Sequence, residues 1–244
     1  MAQDGITQVA ALNIWEFIAS GPIPDTDKCL DLYRRGDEFE IRIDTRQLMN
    51  TRLHGSEDAL SDLAFDRMSA EDATRVLVGG LGVGFTLAAA LRRSGPKGQV
   101  VVAELVPSVI EWNQGPLGNA AGRPLDDPRA SVHCGDVSQL IRKPPAPWHA
   151  ILLDVDNGPS SLTRDSNQWL YSHHGLDTIS DALVPGGILG VWSANPDRGF
   201  TRRFERAGYG VEPIEVRARG KKGGRRHLVW IGRKEQSRRQ KLGY

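Results

Sequence analysis

From Arg75 onward, short runs of β-branched residues alternate with stretches of helical pattern, and this alternation constrains the fold more than any other feature of the chain. Strands joined through helices run parallel, and a parallel sheet is covered on both faces, so its strands read as nearly continuous apolar runs. Strands are expected at Arg75 to Val78, at Gln99 to Ala103, and within "ASVHCG", "HAILLDV" and "GILGVWS". Helices are expected at Phe85 to Arg93, at Pro107 to Asn113, where proline suits a first turn, and in "GLDTISDAL", which stops at "VPGG", and "RGFTRRFERAG". Two last strands, "GVEPIEVRA" and "RHLVWIGR", are separated by the short "RGKKGGRR" and form an antiparallel hairpin. Five parallel strands plus this hairpin make an α/β fold with a doubly wound, seven-stranded, mostly parallel sheet.

The first seventy residues follow a different period. In "FEIRID", Phe39, Ile41 and Ile43 alternate with Glu40, Arg42 and Asp44, as in a half-buried antiparallel strand. A second strand is expected in "QLMNTR". Ser56 then caps a helix with Glu57 and Asp58 in its first turn and Leu60, Leu63 and Ala64 on its inner face. The expected organisation is a small N-terminal β unit with a linking helix (residues 1–70), a main domain (71–234) and a disordered basic tail (235–244).

The stretch "RVLVGGLGVGF" runs a strand into closely spaced glycines that open a helix. A phosphate-binding P-loop needs Lys and Ser or Thr after its last glycine, but Phe85 and Thr86 follow Gly84. The dinucleotide fingerprint would need a glycine where Phe85 stands. Gly80, Gly82 and Gly84 remain as a G-x-G-x-G loop that lets an S-adenosyl sulfonium ligand lie against bare backbone.

Ligands of open α/β sheets bind beyond the carboxyl ends of the strands. The second strand ends in Glu104, at the distance expected of a carboxylate that binds ribose hydroxyls, and the third is followed by Asp136, which can accept from the adenine amine. The fourth ends in "LLDVDNGP", bringing Asp154, Asp156 and Asn157 beside the sulfonium. The sequence thus predicts a Rossmann-like class I methyltransferase fold with an adenosyl-sulfonium site in residues 71–234.

With these motifs the chain resembles the spermidine synthase family of aminopropyltransferases, over most of its length: the N-terminal β unit, the linking helix, "VLVGGLGVGF", "VVVAELVPSVIEW", "DPRASVHCGDV" and "AILLDVDNGP". The resemblance implies that Glu104 holds ribose, Asp136 holds adenine, Asp154 is the catalytic carboxylate and Pro159 lines the nucleoside pocket. It also implies a homodimer and a place in polyamine biosynthesis. Departures are present. The family reads G-G-G-D-G-G at the glycine loop, and its Asp, which recognises the aminopropyl amine, falls on Gly82; its Tyr-Gln pair falls on Gly55 and Ser56. The family's D-[ST]-[ST]-D-P loop is here "DVDNGP", its second acid displaced to Asp156 or replaced by Asn157.

The expected activity is transfer of an aminopropyl or other alkyl group to an amine from decarboxylated S-adenosylmethionine or S-adenosylmethionine. Asp154 would be the base, Asp156 the amine anchor and Asn157 an orienting group. Two alternatives stand beside it: an S-adenosylmethionine-dependent methyltransferase acting on a small or anionic acceptor, and a non-catalytic protein that binds an adenosyl ligand or nucleic acid. The basic "RGKKGGRR" link and the tail favour anions, but stacking aromatics are missing among the charges, so nucleic acid is not the expected partner. His54, Trp169 and Tyr171 are candidates for the acceptor side. His173 and His174 lack a third ligand, and no metal is expected. With 31 basic and 30 acidic side chains, overall charge selects no partner; two cysteines, no basic leader and no apolar run long enough for a membrane span lead to an expected cytoplasmic location.

Overall fold

The computed structural model describes residues 14–68, 74–155 and 168–235. Its main sheet contains β5 (Arg75–Gly79), β6 (Gln99–Glu104), β7 (Ala130–Cys134), β8 (Trp148–Leu153), β9 (Leu183–Ser193), β10 (Tyr209–Arg217) and β11 (Arg226–Lys234). The spatial order is β10-β11-β9-β8-β5-β6-β7. The neighbours from β7 through β9 pair in parallel, whereas β11 pairs antiparallel with both β9 and β10. The α/β, seven-stranded, mostly parallel sheet read from the sequence is borne out. The central strands β5 and β8 are apolar and buried because both faces are covered, while edge strand β7 leaves Ser131, Val132 and Cys134 exposed.

Four covering helices form where expected, α2 (Phe85–Arg93), α3 (Pro107–Gln114), α5 (His173–Ala182) and α6 (Arg198–Arg206), and one that was not expected, α4 (Val137–Arg142), follows β7. Helix α6 shows the local logic. Asp197 accepts from the Phe200 amide at 2.9 Å, and Phe200 and Phe204, one turn apart, bury completely beneath a strongly basic outer face. The chain also departs from expectation after α5: β9 begins at Leu183, through "VPGG", pairing Leu183 with Trp148 before an irregularity restores register at Ile188.

The N-terminal unit is larger than its periodicity announced. A four-stranded antiparallel meander runs β1 (Glu16–Pro22), β2 (Cys29–Arg35), β3 (Glu38–Ile43) and β4 (Arg46–Asn50), so two strands precede the expected pair. Phe39, Ile41 and Ile43 of β3 are buried as predicted, and so is Glu40, whose carboxylate accepts from Arg42 Nε at 2.6 Å. Leu30, Ile41 and Ile43 share one apolar cluster with Val76, Val78, Leu87, Val100 and Val102, which joins this meander to one face of the main sheet.

Helix α1 (Gly55–Phe65) follows the meander in the chain and packs against α2 and β9. Leu60 and Ala64 are fully buried and Leu63 partly so, as expected, but Ser56 is not the cap: His54 holds that position, and Ser56 sits inside the first turn. Gly55 leaves room for the hairpin turn. Its amide donates to the Ala218 carbonyl at 2.8 Å, and a Cβ there would collide with the Gly220 backbone.

Candidate active site

The sheet order reverses at β5: the chain passes outward through β6 and β7, then returns to the other side at β8. Such a switch leaves a crevice above the carboxyl ends of the central strands. A cavity of about 220 Å³ occupies that place, walled on one side by the glycine loop, Glu104, Asp136 and Asp154, and on the other by Ile23, Leu30, Ile43, Leu48 and Met49 of the N-terminal unit. A second recess, of about 410 Å³, lies against β10 and β11, where Arg67 pairs with Glu212 and Asp66 with Arg93, leaving Arg233 as its further charge. The chemistry therefore points to the crevice.

All three loop glycines have positive φ: +91° at Gly80, +52° at Gly82 and +98° at Gly84. At Gly80 glycine is required twice, by that conformation and by packing, because a Cβ would strike the Asp154 carbonyl oxygen. The Gly80 amide donates to the Ala103 carbonyl at 2.9 Å and the Asp154 amide to the Gly79 carbonyl at 2.8 Å, which sets three strand ends side by side. Asn113 of α3 fixes the loop's far limb, donating from Nδ2 to the Gly82 carbonyl at 2.8 Å. Above Gly82 stands Met49, its sulfur 3.0 Å from where a Cβ would be. Neither Gly82 nor its neighbour Val83 brings a carboxylate to the position the spermidine synthase motif gives to Asp.

Glu104 ends β6, nine-tenths buried, and its two carboxylate oxygens accept from the Leu81 and Val106 amides, each at 2.9 Å. Burial pushes its pKa up, and the amides of Val106, Leu81, Gly82 and Leu105 oppose that. Each carboxylate oxygen has a second lone-pair direction. Asp136 caps α4, accepting from the Ser138 amide at 2.8 Å through Oδ1, and lines the cavity beside Gly135 and Val137. Asp156, Asn157 and Pro159 lie outside the described residues.

At the mouth of β8, the Thr86 hydroxyl donates to Asp154 Oδ2 at 2.6 Å. Burial raises the Asp154 pKa to about 6, and the Thr86 hydrogen bond limits the rise. The sequence did not single out its companion. Glu57, in the first turn of α1, lines the same cavity, and its pKa is pushed up to about 8 by burial first and then by the Asp154 charge. The two carboxyls are buried together and repel as like charges, so the pair holds a proton well above the ordinary carboxylate range. Trp192 of β9 also lines the cavity. Its indole is nine-tenths buried, and among the described residues Nε1 has no hydrogen-bond partner.

The remaining candidates stand outside this constellation. His54 stacks on Phe85, ring centroids 4.1 Å apart, and its Nδ1 lies 2.7 Å from Asp58 Oδ2; Phe85, not His54, reaches the cavity. Trp169 packs under Arg142 and against His174, and Tyr171 packs edge-on against Phe200 beneath the opposite face of the sheet. Among the described residues no group of His, Cys, Asp and Glu has the geometry to hold a metal.

No protein-family model matches the chain. Over 193 residues, 75% of its length, it is 31% identical to a polyamine aminopropyltransferase of Mycobacterium tuberculosis, covering 35% of that protein. A polyamine aminopropyltransferase of Sulfolobus acidocaldarius is 26% identical over 129 residues, 53% of the chain and 41% of the relative. The chain thus spans about a third to two fifths of the length of these curated relatives. Its fold matches a spermidine synthase from Thermotoga maritima with a TM-score of 0.70 at 18% identity, over 89% of this chain and 72% of the other. A spermidine synthase in complex with the transition-state analogue AdoDATO matches with 0.69 at 17% identity, over the same shares. The resemblance read from the motifs therefore extends to the sequence at large and to the fold.

Proposed function

Starting from this likeness to the spermidine synthases, we propose that the chain is a transferase that moves an alkyl group, aminopropyl in the first instance, from an S-adenosyl sulfonium donor to an amine. The observation that carries the reading is the Asp154–Glu57 carboxyl pair facing one crevice beyond the glycine loop, both proton affinities raised by burial. In this reading the Glu104 carboxylate, oriented by its backbone amides, accepts from ribose, and the second Asp136 oxygen accepts from the adenine amine. Pro159 lines the nucleoside pocket, Asp156 anchors the acceptor amine and Asn157 orients it. Residues 1–70 supply the acceptor-side wall and 71–234 the donor side.

The donor carbon is already activated, so the protein's work is to hold the nucleophile in line and to keep it neutral. An alkyl amine has a pKa of about 10 and arrives protonated. Asp154, with a pKa of about 6, is ionised at neutral pH and is the base of the pair. The nitrogen lone pair forms the new C–N bond as the C–S bond breaks; its electrons stay on sulfur, which leaves as a neutral thioether.

Methyl transfer is the second reading, and a specific observation favours it: the loop carries Gly82 under the Met49 sulfur instead of an acid, and Lys28 lines the cavity, so a donor carboxylate is not repelled there. Both readings place the protein in the cytoplasm, consistent with two unpaired, exposed cysteines, and polyamine biosynthesis and a homodimer accompany the first. Among the described residues no helix is long and apolar enough to cross a membrane. The test is a mass spectrum of the nucleoside formed from each donor with a panel of amines. Methylthioadenosine means aminopropyl transfer and S-adenosylhomocysteine means methyl transfer; neither product from either donor would overturn the enzymatic reading.

A further inference from the structure

Two hydrogen-bonding groups behind the carboxyl pair, Ser56 and His227, have no part in binding a donor or an acceptor. Ser56 is fully buried, and its hydroxyl donates to Glu57 Oε2 at 2.5 Å. On its other side it lies 2.9 Å from Nδ1 of His227, which reaches it from β11, 171 residues away in sequence. His227 is half-buried, its ring edge-on to Trp192 at 4.9 Å. A continuous line therefore runs from the cavity, through Glu57 and Ser56, to an imidazole at the surface of the hairpin. The basic link between β10 and β11, whose cations suggest an anionic partner in the sequence, serves here to dock that imidazole on α1.

We propose that Ser56 and His227 carry the proton released by each transfer from the Glu57–Asp154 carboxyls to solvent. The inference rests on the amine-transfer reading above. An ammonium acceptor must lose one proton before its nitrogen attacks, and the product nitrogen is again cationic once the C–N bond has formed, so each turnover leaves one proton behind. That proton goes to Asp154. The Ser56 hydroxyl turns its proton from Glu57 to His227 Nδ1, Glu57 gives its own proton to the Ser56 oxygen as the Ser56 proton passes to Nδ1, and Glu57 is reprotonated from Asp154. His227 then loses a proton to water through Nε2, and proton exchange with solvent restores the Nε2–H tautomer before the next turnover. No oxidant or second reactant is needed.

The route requires a neutral His227 that accepts at Nδ1. Burial, and after it the Arg225 charge, lowers the His227 pKa, which favours that state. The charged groups bearing on Glu57 are Asp154 across the cavity and Asp58 on its own helix, and Asp58 is itself held by His54 and Arg92. His227 and Ser56 are positioning residues for proton exit and touch neither substrate.

His227→Gln separates a relay from a mere pin, because the amide can still bond Ser56 but cannot take up a proton. We expect its single-turnover rate to fall about tenfold or more at neutral pH. Calorimetric affinity for methylthioadenosine should stay within about twofold, and the acid side of the pH profile should lose the part set by the imidazole while keeping the part set by Asp154. Ser56→Ala should give the same loss, and the double variant no further loss, since both cut one path. If His227→Gln does not fold, Ser56→Ala and the nitrogen NMR shifts of His227 in the wild-type chain decide. A protonated Nδ1 in neutral His227 would overturn the relay, as would variants with wild-type rates and pH limbs. A wild-type chain that makes no nucleoside product removes the transfer reading and the relay with it; an active wild type with indifferent variants removes the relay alone.

Discussion

Glu57→Gln tests the electrostatics of the carboxyl pair in the absence of any reaction. In the folded chain Glu57 holds its proton up to about pH 8, against an ordinary value of 4.5. Between those values the folded state carries one proton more than the unfolded state, so stability falls as pH rises through the window and levels off above it. One pH unit corresponds to about 1.4 kcal/mol. Glu57 is only half-buried and shares its shift with Asp154, so contact with water reduces the full span, and a loss of about 2 kcal/mol is the reasonable expectation. Gln keeps the shape and cannot ionise. Denaturant titrations of both chains at pH 5, 6.5 and 8.5 should give curves that diverge with pH, the variant gaining on the wild type by about that amount. The Asp154 contribution, which falls between 3.8 and about 6, remains in both. Parallel curves would mean that Glu57 ionises normally and that the paired-carboxyl description is wrong.

Three further outcomes follow from the geometry. Glu104→Ala should cost about 1–3 kcal/mol of stability, by orphaning the Leu81 and Val106 amides, and should weaken methylthioadenosine by a similar amount; unfolding and calorimetry on the same preparation check both, and unchanged values would misplace the ribose. Thr86→Val removes the hydrogen bond that limits the rise of the Asp154 pKa, so the acid limb of the transfer rate should move up by roughly one pH unit, which a pH–rate profile measures. Gly82→Asp adds a Cβ at φ +52° against the Met49 sulfur, so it should weaken carboxylated and decarboxylated donors alike; a selective gain for the decarboxylated donor, read by titrating both, would show that the backbone accommodates the acid.

The main sheet was legible because its signals are local and redundant: the central strands are apolar runs, most covering helices carry caps or a buried stripe, and the hairpin is closed by a short link; α4 after the exposed edge strand β7 was not read. The same alternation placed Glu104, Asp136 and Asp154 at strand ends, where the crevice forms. The meander was only half legible, since β1 and β2 interleave Ser20, Asp31 and Arg34 with their apolar residues and are fixed by pairing to β3 rather than by their own pattern. Glu57 read as an ordinary acidic residue at a helix start. What makes it unusual is the packing of α1 against the carboxyl end of β8, a contact between residues about a hundred positions apart that no spacing rule announces. Ser56 and His227 were hidden for the same reason. Ser56 has the residue type of a cap, and only the register of β11 reveals that its hydroxyl is turned toward an imidazole.

The most direct test of the account compares nucleoside product formation by the wild-type chain and by Asp154→Asn, at donor concentrations that saturate both and with amine in excess. If Asp154 is the base in an adenosyl-sulfonium site, the variant should bind methylthioadenosine about as tightly as the wild type while its rate of product formation drops by roughly a hundredfold or more. A variant that transfers at the wild-type rate would contradict the assignment of the chemistry to the carboxyl end of β8.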